Sequence, residues 1–548
     1  MRPITEIAEK AGIPAEFLHP QGRHKAKVDL NLIQALPERP GARTVVVTAV
    51  TPTPLGEGKT VTSIGLAMAL CRLGRRALCT LRQPSLGPLF GVKGGATGGG
   101  RSHLMPAEEI NLHFTGDIHA VATAHNLLAA MVDNHLKHTN SLRLNSTEVY
   151  WNRTVDMNDR ALRDIVIGLG GDANGVARET AFEITAASEV MAILALCEGY
   201  ADLKERLGRI LVAADLDGRG VRASALRAAG AMAALLRDAL RPNLVQTSEG
   251  TPCLVHAGPF ANVAHGNSSV LADRVALRLA DYVVTESGFG SECGAEKYFD
   301  IKARLSGLSA QAVVLVTTVR AMKFHGGTRR VRDPKVLARE DVPAVERGCE
   351  NLLAHLANVA HFGVPAVVAI NRFPTDTPSE LEVVRARGLA GGALRVVESE
   401  VFGRGSEGGL DLARAVETAC TIPSEPRALY DLNLPLEEKA RRIARSMYGA
   451  ADVHFSPKAK RRIEFLGDVG LSGLPLCVAK TPLSLSHDPE LRGRPGGYLF
   501  PIADVRAYAG AGFVTMLAGE IMTMPGLPKV PMAEAVDLTA DGEIVGLM

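Results

Sequence analysis

The sequence predicts an α/β fold in which helices cover both faces of a mostly parallel sheet. Short, continuous apolar runs recur along the chain, and such runs are typical of strands buried on both faces. They alternate with alanine-rich stretches of helical spacing, such as 223–240 and 345–362, which favours parallel strands joined by helices. The predicted strands span residues 44–50, 76–81, 210–214, 252–256, 282–285, 312–318 and 365–370.

The length of the chain predicts more than one structural unit, because 548 residues exceed what one simple core usually holds. We expect an α/β body over residues 1–370, divisible somewhere between 120 and 250. A smaller C-terminal part should follow over 371–548, where short strands and Gly/Pro turns are mixed. Residues 1–40 are expected to form a helical lead-in that ends in the turn PERPG.

Composition excludes several classes of partner. The net charge is +2, from 61 basic and 59 acidic residues, so there is no electrostatic case for nucleic acid. None of the eight cysteines forms a Cys-x-x-Cys pair, which argues against zinc ribbons and thioredoxin-type chemistry. The N-terminus has no apolar signal segment and no run approaches ~18 apolar residues, so we expect no membrane partner and a cytoplasmic protein with reduced thiols.

The strongest local motif is TPTPLGEGKT, residues 51–60, which lies between a predicted strand and a predicted helix. Glycines let backbone N–H groups cradle an anion, Lys59 would reach the terminal phosphates, and Thr60 would help hold Mg²⁺. Thr53 stands where the usual phosphate-loop pattern has its first glycine. The alternative is a solvated lysine in an ordinary turn, but the flanking strand and helix favour a nucleotide-binding body of the phosphate-loop NTPase type. The predicted nucleotide-binding residues of the loop are Thr53, Pro54, Leu55, Gly56, Glu57, Gly58, Lys59 and Thr60.

A second glycine-rich segment, RQPSLGPLFGVKGGATGGG, follows the next predicted strand. Arg82 opens it, at the carboxyl end of a strand, where open α/β sheets bind ligands. A guanidinium there suits a carboxylate or a phosphoryl oxygen. The run 94–100 is too rich in glycine for regular structure, and it predicts a loop that approaches or closes over a ligand. A mobile surface linker is the alternative.

These two motifs and INLHFTGDIHA, in this order, closely resemble the formate–tetrahydrofolate ligase (formyltetrahydrofolate synthetase) family. The likeness extends over essentially the whole chain. It continues through VDMNDRALR, GLGG, KERLGRI, RPNLVQTSEG, GPFANVAHGNSS, DYVVTESGFG, GAEKYFDIKAR, INRFPTDT and MTMPGLPKVP. The resemblance implies that the chain transfers formate to tetrahydrofolate at the expense of ATP.

The segment INLHFTGDIHA contains His113, Asp117 and His119. The histidine spacing does not match a helix-borne zinc pair, so we expect most of these histidines to be buried and hydrogen-bonded. Asp117 is a candidate catalytic or Mg²⁺-binding carboxylate, and a helix cap is an equally good interpretation.

The segment INRFPTDT follows a predicted strand and contributes candidate residues for two ligands. Asn371 and Asp376 resemble the pairs with which many phosphate-loop proteins recognise a purine edge. Phe373 offers a flat apolar face for a ring, and the family resemblance places a pterin between it and a second aromatic residue, here Phe402. The family usually has Trp at that second position. The alternative is that both phenylalanines are ordinary core residues.

Several positions depart from the family pattern. Gln83 stands where many bacterial members have Glu, so the family's activation by monovalent cations becomes doubtful. Arg101 stands where an aromatic residue usually follows the glycine run, Glu398 adds charge near the presumed pterin pocket, and Glu292 replaces Asp. None of these departures falls on Lys59 or Arg82.

The resemblance implies a reaction in which formate attacks the γ-phosphate of MgATP and the resulting formyl phosphate formylates N10 of tetrahydrofolate. Lys59, Arg82 and Asp117 are the candidate catalytic residues, Mg²⁺ accompanies ATP, and tetrahydrofolate is the co-substrate. The family also implies a homotetramer. Two other classes use similar residues: a phosphate-loop switch ATPase, which would usually be shorter and carry a second lysine in the loop, and another ATP-dependent ligase such as a carboxylase.

Overall fold

Twelve strands form one large sheet in the computed structural model, which describes residues 1–93, 95–328, 333–519 and 521–547. The order across the sheet is β1-β2-β14-β15-β4-β16-β3-β17-β18-β19, and the β5–β6 hairpin attaches to β14. The seven strands from β15 to β19 in this order are parallel, whereas β14 runs antiparallel to β15. The predicted α/β class with a mostly parallel sheet is therefore confirmed.

The strands have the following bounds. Those in the first 240 residues are β1 Leu18–Pro20, β2 Ala26–Val28, β3 Arg43–Ala49, β4 Ala77–Leu81, β5 Gly98–Gly99, β6 Ser102–Met105, β7 Leu144–Val149, β8 Arg153–Val155, β9 Ile165–Ile167, β10 Arg178–Thr180, β11 Phe182–Ile184, β12 Leu211–Asp215 and β13 Gly220–Arg222. The later strands are β14 Asn243–Thr247, β15 Pro252–Val255, β16 Tyr282–Gly290, β17 Ala312–Thr317, β18 Ala366–Asn371, β19 Arg395–Ser399, β20 Asp452–Phe455, β21 Leu476–Ala479, β22 Leu499–Ile502, β23 Asp504–Tyr508, β24 Phe513–Leu517, β25 Asp537–Leu538 and β26 Ile544–Val545.

Helices connect the strands, and some of them cover the faces of the large sheet. They are α1 Ile4–Ala11, α2 Leu32–Ala35, α3 Lys59–Arg72, α4 Leu86–Pro88, α5 Ala107–Asn111, α6 Asp117–His138, α7 Glu189–Leu196, α8 Tyr200–Arg209, α9 Ala229–Leu236, α10 Val270–Leu279, α11 Arg304–Ser306, α12 Val319–His325, α13 Pro334–Leu337, α14 Val342–His361, α15 Pro378–Ala390, α16 Val401–Arg404, α17 Leu410–Thr421, α18 Leu436–Ile443 and α19 Pro457–Asp468. None of the helices in the described ranges combines the length and the apolar character that crossing a bilayer requires.

The central strand β3 shows why the apolar runs form this sheet. Successive side chains of a strand point to opposite faces, and both faces are covered here. Val45 and Val47 pack into the core that contains Ile64 of α3, whereas Val46 packs into the core on the other face, which contains Leu352 of α14. A continuous β-branched run therefore suits the strand that carries the phosphate loop.

Four expectations about elements are wrong. The run 210–214 does not join the main sheet, because β12 pairs antiparallel with β7 and β13 in a separate three-stranded sheet. Helix α9 is much shorter than the predicted stretch 223–240. The lead-in contains the antiparallel β1–β2 pair between its helices. In the glycine run, Gly98 and Gly99 form the short strand β5, and Gly94 lies outside the described residues.

The main sheet also continues beyond the expected boundary at residue 370, because β19 pairs with β18. The smaller sheets of the C-terminal part come later: β20 pairs with β22, and β21, β24 and β23 form a three-stranded sheet. The strand before the phosphate loop, β3, and the strands before the candidate pterin residues, β18 and β19, thus belong to one sheet.

Candidate functional site

The phosphate-loop motif lies between β3 and α3, and its conformation depends on two glycines. Gly56 and Gly58 have φ angles of 75° and 78°, in the left-handed region that glycine adopts without strain. A Cβ on Gly58 would also lie 2.4 Å from Nδ2 of Asn371. Thr53 is absent from the residues with positive φ, so this loop does not need a glycine at the first position of the usual pattern.

The buried side chain of Glu57 stabilises the conformation of the phosphate loop. Its Oε1 accepts a 2.8 Å hydrogen bond from the backbone N–H of Thr53, and its Oε2 accepts one of 3.0 Å from the hydroxyl of Thr318. Burial raises the pKa of Glu57, and these hydrogen bonds oppose that shift. Asn371 adds a 3.1 Å hydrogen bond from Nδ2 to the carbonyl of Glu57. Glu57 and Asn371 were both predicted to bind nucleotide. In the structure their side chains stabilise the conformation of the loop.

Lys59 and Thr60 begin helix α3, so they lie where backbone N–H groups and the helix dipole favour an anion. Neither the Lys59 ammonium nor the Thr60 hydroxyl has a hydrogen bond or ion pair within the described residues. Burial lowers the pKa of Lys59, while Glu286 and Glu57 act against that shift. An ammonium at a helix N-terminus whose N–H groups have no partner within the described residues is well suited to a phosphate.

Arg82 follows directly on β4, two strands away from β3, with β16 between them. Its Nη1 donates a 3.0 Å hydrogen bond to the carbonyl of Pro259. A Cβ on Gly288 would lie 2.9 Å from Nη2 of Arg82, so the glycine of the TESGFG motif leaves space for the guanidinium. Burial lowers the pKa of Arg82, and Glu286 opposes this. Arg82 and the phosphate loop thus share the carboxyl edge of the sheet.

Glu286, which sequence reasoning missed, lies on β16 between these two groups. Its side chain is 9% exposed. The motif DYVVTESGFG, which contains Glu286, entered the sequence analysis only through the family likeness. The position of Glu286, one strand from both Lys59 and Arg82, could not be inferred without the strand order.

Asp117 lies at a different part of the sheet edge. Its Oδ1 accepts a 2.7 Å bond from Lys27 Nζ, and its Oδ2 accepts one of 2.7 Å from Asn243 Nδ2. Asn243 begins β14, four strands from β3, which is roughly 19 Å at ~4.8 Å per strand. The acid forms a buried ion pair that ties α6 to β2 and β14, so the structure shows no side-chain cap, and the catalytic or magnesium-binding role of Asp117 stays a prediction.

The predicted purine pair is only partly accessible to a ligand. Asn371 is occupied with the phosphate loop, and Asp376 accepts a 2.8 Å hydrogen bond at Oδ2 from the backbone N–H of Phe373. Burial raises the pKa of Asp376, and the Phe373 N–H and Arg320 act against it. The acid therefore stabilises the turn that presents Phe373.

Phe373 and Phe402 follow β18 and β19, which are adjacent parallel strands, so both rings lie at the same sheet edge. The guanidinium of Arg320 lies 3.7 Å from the centroid of Phe373 and covers one face of it. Phe402 is 56% exposed, and its ring rests on the glycine turn, where a Cβ on Gly99 would be 3.2 Å from Cε2 of Phe402. Such exposure is unusual for an ordinary core phenylalanine and leaves a ring face open to a ligand.

The start of the phosphate loop is held by buried polar side chains that sequence reasoning also missed. Thr51 Oγ1 is 3.0 Å from His355 Nε2, its N–H donates to Asn351, and its carbonyl is 2.9 Å from His325 Nε2. Burial lowers the pKa of both histidines to about 4, so they are neutral at physiological pH. Asn351 also donates to the carbonyl of Gly493, which connects the loop to the C-terminal part.

Comparison with known proteins adds to this geometry. A family model described as "Formate--tetrahydrofolate ligase" matches residues 1–548. The chain is 55% identical to the formate–tetrahydrofolate ligase of Roseiflexus sp. (strain RS-1), over 100% of this chain and 98% of that protein. It is 54% identical to the protein of the same name from Thermotoga petrophila, with both chains fully covered, and 52% identical to that of Desulforamulus reducens.

The chain belongs to the formate–tetrahydrofolate ligase family. Membership confirms the resemblance, and this family consists of ligases. The positions that depart from the family pattern can therefore be examined in the fold of a family member.

The departures from the family pattern differ in their surroundings. Gln83 is buried, and its Oε1 has no hydrogen-bond partner within the described residues. Glu292 is paired with Lys480 Nζ at 3.2 Å; burial alone would raise its pKa, but Lys480 and His355 hold it below the ordinary value. Glu398 is neutralised by Arg385 at 2.8 Å and Arg372 at 3.2 Å. The backbone N–H of Arg101 donates to the carbonyl of Phe402.

Proposed function

We propose that this chain joins formate to tetrahydrofolate at the expense of ATP, through formyl phosphate. The observation that carries the proposal is family membership over the full chain, at 52–55% identity to proteins named formate–tetrahydrofolate ligase. The Lys59 ammonium and the Thr60 hydroxyl, which have no partner in the described part of the chain, and the Arg82 guanidinium support it from one sheet edge, since phosphoryl transfer depends mainly on positioning and charge neutralisation. The proposed product is 10-formyltetrahydrofolate, with ADP and phosphate.

In the first step, a formate oxygen attacks the γ-phosphorus of ATP and the bond to the β-phosphate oxygen breaks. Lys59 stabilises the charge on the transferred phosphoryl group, and Arg82 holds formate and then the acyl phosphate by charge-assisted hydrogen bonds. The Thr60 hydroxyl fits a ligand of Mg²⁺ because no described group uses it. When bound with ATP, Mg²⁺ neutralises the phosphate oxygens.

In the second step, N10 of tetrahydrofolate attacks the formyl carbon, the carbon–oxygen bond to phosphate breaks, and N10 loses its proton. Phe373 and Phe402 hold the pterin so that N10 faces the formyl group. Asn371 bonds the loop that would carry the nucleotide, and Asp376 accepts a hydrogen bond in the turn that follows β18. Recognition of the purine by this pair is part of the proposal.

The glycine run would limit access of water to formyl phosphate, which hydrolyses readily. Its described part is tied down at several points. The N–H of Gly95 donates to the carbonyl of Leu547, that of Ala96 donates to Asn111 Oδ1, and that of Arg101 donates to the carbonyl of Phe402. The run therefore lies against the candidate pterin residue, which suits a cover over the transferred group better than a free linker.

A homotetramer and a cytoplasmic location are proposed from the family likeness. At most weak dependence on monovalent cations is proposed from a departure, because Gln83 replaces a carboxylate.

The formyl phosphate intermediate can be tested with formate labelled with ¹⁸O. If formyl phosphate forms, one formate oxygen stays with phosphorus when N10 attacks, so labelled phosphate should accompany 10-formyltetrahydrofolate. Phosphate without label would exclude an acyl phosphate intermediate.

A further inference from the structure

The carboxylate of Glu286 has no hydrogen bond or ion pair within the described residues, unlike those of Glu57 and Glu292 at the same edge of the sheet. Glu57 bonds Thr53 and Thr318, and Glu292 pairs with Lys480. Yet Glu286 is 9% exposed, so more than nine-tenths of it is removed from water. A buried carboxylate without a partner is costly, and such a group at a ligand site suggests that its partner comes with the ligand.

The register of the sheet places Glu286 between the two candidate phosphate-binding cations. Glu286 is aligned with Val47 of β3 on one side, and the preceding Thr285 is aligned with Thr80 of β4, two residues before Arg82, on the other. Among the charged groups around Lys59 and around Arg82, Glu286 has the largest effect in raising the pKa of each. The carboxylate therefore faces the space that the phosphates and formate would occupy.

A carboxylate in that space would repel the phosphates of ATP unless a cation lay between them. Mg²⁺ is held in nucleotide sites by one or two carboxylates or hydroxyls together with phosphate oxygens, and it keeps several waters. Glu286 and the Thr60 hydroxyl together meet this requirement. No group of three or more His, Cys, Asp or Glu residues suited to a metal exists in the described ranges, so a site completed by the nucleotide is consistent with what is present.

The chief alternative is that Glu286 accepts the proton from N10. The strand order disfavours it, because β16 is three strands from β18 and four from β19, which carry the aromatic pair, or roughly 14–19 Å at ~4.8 Å per strand. Glu286 lies one strand from the phosphate loop. Its position thus favours the phosphates over the pterin.

We propose that Glu286 would be a ligand of the Mg²⁺ that accompanies ATP, directly or through a bound water, together with the Thr60 hydroxyl. The inference rests on the proposed function, since it assumes that ATP binds at the phosphate loop. It assigns Glu286 a second effect: without metal, the same carboxylate should weaken ATP binding by repulsion.

The test is calorimetric titration of the full chain with β,γ-methylene-ATP, with Mg²⁺ and with EDTA, for the wild type, Glu286→Gln, Glu286→Asp and the exposed control Glu179→Gln. Glu286→Gln should bind the metal-free analogue at least as tightly as the wild type, and its enhancement by Mg²⁺ should fall by about tenfold or more, the loss expected for one bond to a charged group. Glu286→Asp should recover part of the enhancement, and Glu179→Gln should behave as the wild type.

Each other outcome has a definite meaning. Full enhancement by Mg²⁺ in Glu286→Gln overturns the assignment, and if formyl transfer is lost at the same time the residue is the proton acceptor instead. Loss of both metal-free and metal-dependent binding also overturns it, because the glutamine should remove only repulsion from the metal-free complex. If the wild type itself does not bind the analogue, the proposed function fails, and that failure is distinct from failure of the Glu286 assignment.

Discussion

Individual side chains at the carboxyl edge of the sheet divide the proposed reaction into two separable halves. Arg82 lies beside β16 and the phosphate loop, whereas Phe402 lies at the far edge strand β19 and is largely exposed. The guanidinium can act on small anions, and the ring can act on a flat apolar ligand. Substitutions at the two positions should therefore affect different substrates.

Arg82→Ser should depress formyl phosphate formation while tetrahydrofolate still binds, because one charge-assisted hydrogen bond contributes roughly 1.5–3 kcal/mol. Phe402→Ala should weaken tetrahydrofolate binding by about 1–2 kcal/mol, from lost stacking and buried area, and leave ATP binding intact. Calorimetric titration of both variants with an ATP analogue and with folate, separately, measures this. Unchanged folate affinity in Phe402→Ala would move the pterin pocket elsewhere.

Gln83 provides a prediction about monovalent cations. Its orphaned Oε1 offers a neutral carbonyl where the family pattern has a charged oxygen, so a cation gains little Coulomb attraction there. We expect little change in folate-dependent activity when potassium replaces tetramethylammonium, and a greater dependence in Gln83→Glu. A strong loss of wild-type activity in tetramethylammonium would contradict this interpretation.

At the scale of elements, helix α3 connects the phosphate loop to the candidate pterin residue. Gly65, in the middle of α3, is so close to α16 that a Cβ there would lie 2.4 Å from Cβ of Val401, the residue before Phe402. Lys59 starts the same helix. The packing of α3 on α16 therefore fixes where the exposed ring stands relative to the loop.

Gly65→Ala should push α16 away, weaken tetrahydrofolate binding and lower the melting temperature, since overpacking typically costs about 1–3 kcal/mol. Gly230→Ala is the matched control: this helical glycine in α9 has nothing within 4 Å of its Cβ position. The control should be neutral or stabilising by up to about 1 kcal/mol, from helix propensity. Equal folate affinity in Gly65→Ala and the wild type would show that α16 is not positioned by this contact.

Some site residues could be predicted from local sequence and others could not. The phosphate loop and Arg82 were accessible to sequence reasoning because a strand, a glycine turn and a helix start are close in the chain. The contacts of Asp117 could not be predicted, because its partners, Lys27 and Asn243, lie 90 and 126 residues away. Glu286 and the side chains that hold Thr51 were missed for the same reason, since only the strand order and the packing of α12 and α14 bring them together.

At the scale of the whole molecule, the middle and C-terminal parts meet around a cavity of about 270 Å³ whose lining includes Glu183, Glu189 and Tyr508. Oε1 of Glu189 accepts a 2.6 Å bond from the N–H of Gly510, which joins α7 to the turn between β23 and β24. Burial raises the pKa of Glu189 to about 8, with the Gly510 and Ala511 N–H groups opposing, and burial raises that of Glu183 to about 7. Glu189 therefore favours its protonated form at neutral pH.

This junction predicts a pH dependence of stability. A carboxyl whose pKa is raised on folding binds more protons in the folded state between its unfolded pKa, about 4.5, and its folded pKa of about 8, so stability should fall as pH rises through that window. Glu189→Gln removes this linkage while keeping an acceptor for Gly510. Its melting temperature should decline less than that of the wild type between pH 5 and 8, as measured by calorimetry at several pH values within that range. Parallel pH profiles for Glu189→Gln, the wild type and the exposed control Glu6→Gln would contradict the assignment.

The most direct test of the proposed ligase function is release of ADP from MgATP, measured with formate and tetrahydrofolate present together, singly and not at all. The proposal predicts sustained ADP release only when both are present, together with stoichiometric 10-formyltetrahydrofolate, and loss of that turnover in a folded Lys59→Ala variant. Sustained ADP release that does not depend on tetrahydrofolate, or turnover that persists within a few-fold of the wild type in Lys59→Ala, would contradict it.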